Sequence, residues 1–144
     1  MIRTASLEQA ELAIIGAGCA GLSLARQLAR TEKTSRIKAC LYGPVSPAAT
    51  NRHSWGFWAT KGLKEQTELA RQRWHKWQII TAEREVTQTA DSHPYCRLDS
   101  RDWLTHCLNV IDGNIQQEPD SLPTPGAQPV FDSRPPNVPD GAML

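Results

Sequence analysis

Ile14-Ile15-Gly16-Ala17-Gly18-Cys19-Ala20-Gly21-Leu22 sets a G-x-G-x-x-G turn between an apolar run and a helix-forming one. The three glycines have separate tasks. Gly16 lets the chain leave a strand in a tight turn, and Gly18 lacks the Cβ that would hold the backbone off a ligand. Gly21 allows the following helix to pack closely on the sheet. A helix opening at this point offers free N–H groups and the positive end of its dipole, which suits a diphosphate. The flanks fit the pattern: Leu12, Ile14 and Ile15 precede it, and Leu22, Ala25, Leu28 and Ala29 follow at helical spacing.

Working outward, Leu12–Ile15 reads as a strand buried on both faces, because the run is almost continuously apolar. A helix is expected from about Cys19 to Arg30, and a second strand from Ile37 to Tyr42, stopped by Gly43-Pro44. This order predicts a right-handed parallel βαβ unit. Further on, Lys61 to Arg73 reads as an exposed helix, and Trp74 to Thr81 as one strand, with Glu85 to Thr89 able to pair with it. In one continuous strand Trp74 and Trp77 fall on opposite faces. Asp99 or Ser100 can cap a helix whose apolar face is Trp103, Leu104, Cys107, Leu108 and Ile111. Asp99 and Asp102 are then helix-start residues, not a catalytic pair. Seven of the ten prolines lie between Pro119 and Pro139, so the tail is expected to be loop apart from a short step at Val130-Phe131.

A chain of 144 residues is about one domain long and small for a complete nucleotide-dependent enzyme. Its formal charge of +1 gives no footprint for nucleic acid or an anionic membrane. No apolar run is long enough to span a bilayer, and no leader stands before the first strand, so a cytoplasmic location is expected. Cys19, Cys40, Cys96 and Cys107 show no C-x-x-C pair and no zinc spacing, which predicts free thiols and no metal.

Three separated blocks together resemble the flavin-dependent lycopene cyclases of carotenoid synthesis. They are the Gly16-to-Gly21 loop, His53-Ser54-Trp55-Gly56-Phe57-Trp58, and Val130-Phe131-Asp132-Ser133-Arg134-Pro135-Pro136. His93-Pro94-Tyr95-Cys96-Arg97-Leu98-Asp99 is similar to that family's short step into a helix. The resemblance runs from about Leu12 to Pro136 and matches the family's N-terminal part. It implies an α/β fold: an incomplete Rossmann-like, FAD-binding βαβ unit of the aromatic-hydroxylase flavoprotein class. It divides the chain into an FAD/NAD(P)-binding portion, 1–113, and a proline-rich segment, 114–144, with the substrate domain absent. In that family FAD, kept reduced by NADPH, assists closure of lycopene's linear ends into rings without net redox change. An electron-rich flavin beside a developing cation is electrostatic preorganisation.

On this resemblance Gly16, Ala17, Gly18, Ala20, Gly21, Arg52, His53, Asp132 and Arg134 are the cofactor-binding candidates, and Trp55, Phe57 and Trp58 the substrate-pocket candidates. Each has a plainer reading: a structural turn, an exposed loop histidine, aromatic packing, or an Asp132–Arg134 ion pair bracing its own turn. Where the family carries an acid to hold the adenosine ribose, this chain has Tyr42, so FAD binding is expected to be weak. The family's downstream acidic motif is missing too, so no catalytic residue is assigned, and a truncated, inactive fragment is expected. Membrane contact would come only through the missing domain. Two alternatives stay open. An FAD- or NAD(P)-dependent oxidoreductase of the hydroxylase or reductase type would share the glycine loop but has no need of the H-S-W-G-F-W block. A non-enzymatic remnant would account for Tyr42.

Overall fold

The computed structural model describes residues 10–31, 37–44 and 53–134, and Arg52 lies outside them. The chain forms two compact units, residues 1–46 with 107–144 and residues 47–106.

In the first unit β1 (Leu12–Ile15) leads through the glycine loop into α1 (Cys19–Arg30), and β2 (Ala39–Tyr42) follows. All pairings in its sheet are parallel, in the order β8-β2-β1-β9, where β8 is Gln116–Glu118 and β9 is Val130–Asp132. The two central strands are buried apart from half-buried Leu12, as expected of a parallel sheet. α1 buries Leu22, Ala25 and Leu28 at spacings of three, and Arg30 in its last turn faces the negative end of the helix dipole. It stops at Thr31, whose amide and hydroxyl both bond the Gln27 carbonyl.

The second strand is shorter than expected, beginning at Ala39, with Ile37 left exposed. The proline-rich tail contributes more than its Val130-Phe131 step, because Gln116–Glu118 adds a strand beside β2. The packing therefore groups residues differently from a division at 113/114: β9 closes one side of the first sheet, while residues 47–106 build a unit of their own.

That second unit contains β3 (Ser54–Trp58), a 3₁₀ turn at Lys61–Leu63, α2 (Lys64–Leu69), β4 (Gln72–Trp74), the hairpin β5 (Lys76–Ile80) and β6 (Glu85–Thr89), and β7 (Tyr95–Asp99). An antiparallel sheet runs in the order β3-β7-β4, and β5-β6 form a separate ladder. The predicted helix to Arg73 ends at Leu69, and the expected single strand from Trp74 is two. β4 pairs with β7, the chain breaks at His75, and β5 turns to β6. That break resets the alternation, so Trp74 and Trp77 do not diverge. Trp58 meets Trp77 at 5.9 Å and Tyr95 at 5.0 Å, and Tyr95 meets Trp74 at 6.1 Å, all in one aromatic cluster.

α3 (Ser100–Ile111) follows β7 directly. Ser100 ties its start to β3: its amide donates to the His53 carbonyl, and its hydroxyl accepts from the His53 amide. Trp103, Leu104, Cys107 and Ile111 are buried on the expected face.

Candidate functional site

The first sheet's carboxyl edge gathers three backbone segments. Gly16 leaves β1 with φ 97°, a left-handed conformation that favours glycine, and donates its amide to the Tyr42 carbonyl at 2.9 Å. Gly43 leaves β2 with φ 111° and passes close to Gly16. Beside them β9 ends at Asp132, level with Ile15.

Ser133 joins the third segment to the loop. Its hydroxyl lies 2.9 Å from the Ile15 carbonyl oxygen and 3.1 Å from that of Gly16, and its amide bonds the Ile15 carbonyl. A Cβ built on Gly16 would meet that hydroxyl at 2.6 Å, and one on Gly21 would overlap the Gly16 carbonyl oxygen. Loop, helix and β9 terminus are thus packed to backbone contact. Gly18 is different: a Cβ there would meet nothing within 4 Å. Its missing side chain leaves room in front of the helix.

Into that room faces the opening turn of α1. The first helical bond is made by the Leu22 amide to the Gly18 carbonyl, so the amides of Cys19, Ala20 and Gly21 precede it. Gly18 supplies no side-chain cap, and no acid stands in the first turn. Cys19 is exposed there, and burial of part of its surroundings pushes its thiol up, away from the anionic form. Nothing in this turn repels an anion. The arrangement can take a diphosphate through backbone donors and the helix dipole.

The other candidates sort differently. Arg134 closes on Asp132 through two guanidinium bonds, 2.9 and 2.7 Å, and a backbone bond of 3.0 Å. This partner holds the Asp132 carboxyl down to about 2. The two side chains brace their own turn, the plainer of the two readings, although that turn does lie against the loop. Ser133, which is not among the predicted site residues, makes the hydrogen bonds to it. The signal was a small hydroxyl residue inside the strand-end block.

Tyr42 stands level with Ile15 at the ribose position, but it is 1% exposed. Burial and the neighbouring Cys40 push the phenol up to about 12, against an opposing hydrogen bond with Gln128. It faces the core formed with Ala13 and Cys40, so it offers a ribose no hydrogen bond. The residues present fit the diphosphate and leave the sugar without its usual partner.

His53 and the aromatic block belong to the second unit. The His53 side chain is exposed, and its backbone is what holds α3. Trp55 and Phe57 alternate with Trp58 across the strand: the first two are half-buried opposite Leu98 and Cys96, while Trp58 is 43% exposed on the other face. The three therefore do not form one wall.

The parallel sheet, the glycine turn and the helix opening onto it define a Rossmann-like α/β unit. The solved structure of P. aeruginosa PqsL in complex with 2-aminobenzoylacetate is similar, at 16% identity and TM-score 0.57, over 76% of this chain and 33% of that one. A mutant of MHPCO matches at 13% identity and TM-score 0.54, over 74% of this chain and 30% of that one. This chain spans about a third of the length of each. The family profile described as "Lycopene cyclase protein" matches residues 11–112, more than half of the sequence, and the chain belongs to that family. No curated protein matches it. Among the described residues no helix is long and apolar enough to cross a membrane.

Proposed function

We propose that this chain carries the FAD-diphosphate cradle of a lycopene cyclase-type flavoprotein. The observation behind this reading is the open space before Gly18, faced by the first-turn amides of α1 and walled by the Ser133-pinned loop. Gly16, Ala17, Gly18, Ala20 and Gly21 would hold the diphosphate, with Asp132 and Arg134 shaping the rim. Bound FAD, reduced by NADPH, would supply the electron-rich surface that ring closure of lycopene requires. The carotenoid and any membrane contact belong to the family's full-length proteins. Arg134 holds the Asp132 carboxyl at the rim ionised, so no residue of this cradle is assigned as proton donor, and no cyclisation is expected from these residues alone.

The buried phenol of Tyr42 favours weak adenosine binding. Titration of the purified chain with FAD, followed by flavin fluorescence anisotropy, should give saturable binding weaker than about 1 µM. Lycopene supplied with FAD and NADPH should remain linear by chromatography. A folded chain that binds no FAD supports the non-enzymatic alternative and removes this reading. Cyclised product would overturn the expectation of no cyclisation.

A further inference from the structure

The second unit holds a surface cavity of about 470 Å³ between the 3₁₀ turn, α2, β4 and the β6–β7 connection. That lies within the roughly 300–1,000 Å³ usual for small-molecule sites. Its surface is mainly carbon, from buried Ala59 and the aliphatic stems of long side chains. Its charges are unbalanced: Lys61, Lys64 and Arg73 stand against Glu68 alone.

These cations are only lightly engaged. Lys64 approaches Glu68 at 3.8 Å with side chains 81% and 62% exposed, a pair that solvent weakens. Arg73 donates one guanidinium nitrogen to the Thr67 carbonyl at 2.6 Å, which orients the fork and leaves its other donors unused among the described residues. The Lys61 ammonium and the side chains of Thr60, Ser92 and His93 have no partner among the described residues.

We propose that this cavity binds a phosphate monoester with an apolar organic part. Three basic side chains against one carboxylate leave an excess of two positive charges, which match a dianionic phosphate better than a single carboxylate. The guanidinium fork suits phosphate geometry, and two hydroxyls and an imidazole N–H can complete its shell. The carbon lining takes the rest of the molecule. The site uses no residue of the glycine loop and does not depend on FAD.

Phenyl phosphate is the probe, titrated into the full chain while the His93 ring protons are followed by NMR. Saturable shifts are expected, with affinity at least about tenfold above that for inorganic phosphate. Arg73→Gln and Lys61→Gln should each weaken binding about tenfold or more, and Lys61→Gln serves if the first fails to fold. Cosedimentation with phosphatidic acid vesicles, but not with phosphatidylcholine alone, would make the natural source a lipid headgroup. Phenyl phosphate binding without cosedimentation would make it a soluble ester. Absence of saturable His93 shifts, or unchanged affinity in Lys61→Gln, would overturn the proposal.

Discussion

Gly18 and Gly21 stand three residues apart in one motif, yet their environments make opposite demands. At Gly21 a methyl group would collide with the Gly16 carbonyl oxygen, a backbone atom that cannot swing away. Gly21→Ala should therefore cost about 1–3 kcal/mol or more, read as a lower urea midpoint at constant slope. At Gly18 the backbone angles, φ −83° and ψ −165°, suit any residue, and the space is open. Gly18→Ala should cost no more than about 1 kcal/mol, the loss of a favoured cap residue, while weakening FAD binding. Equal effects of both changes on stability and on binding would show that the loop is a structural turn and nothing more. Both glycines were legible from spacing alone. The contact that pins the start of the loop was not, because Ser133 lies 117 positions from Gly16.

Among the elements, those with a strong local pattern were readable, and those set by distant pairing were not. β1, α1 and the α3 face announce themselves by continuous apolarity or by helical spacing. β8 has the sequence Gln-Gln-Glu and becomes a strand only because β2 offers it an edge. The His75 break likewise follows from tertiary pairing, since Trp74 is held by β7 while Lys76 begins a different ladder. The aromatic block is a strand whose one glycine is filled from across the ladder. A Cβ on Gly56 would run into the Tyr95 ring, which lies over it between Trp58 and Trp74. Gly56→Ala should displace that ring and cost about 1–2 kcal/mol through lost aromatic contacts. In a Tyr95→Ala background the same change should cost much less, a coupling that a double-mutant cycle in urea measures. Additive costs would mean that Tyr95 does not occupy the space over Gly56.

For the whole molecule, the sequence conveyed the α/β class and the family through blocks that are local in the chain. The grouping of residues into units was hidden, because strands from both ends of the chain meet in one sheet. The same distance in sequence concealed the fate of Tyr42. Its position at the end of β2 suggested a weak ribose contact, and only the pairing of β2 with β8 and the approach of Gln128 enclose it.

Division into units also separates the chain's optical and chemical reporters. All five tryptophans fall within residues 47–106, whereas Cys19, Cys40 and Cys107 fall in the segments that carry the glycine loop. Cys40 and Cys107 are fully enclosed, so a thiol reagent reaches them only when that region opens. Unmodified protein therefore carries two kinds of reporter, indole emission for residues 47–106 and alkylation for the segments around the glycine loop. By mass action, saturating FAD should slow the labelling of Cys40 and Cys107, scored peptide by peptide in a mass spectrometer. Labelling at an unaltered pace, with the flavin demonstrably bound, would place the dinucleotide somewhere other than the mouth of α1.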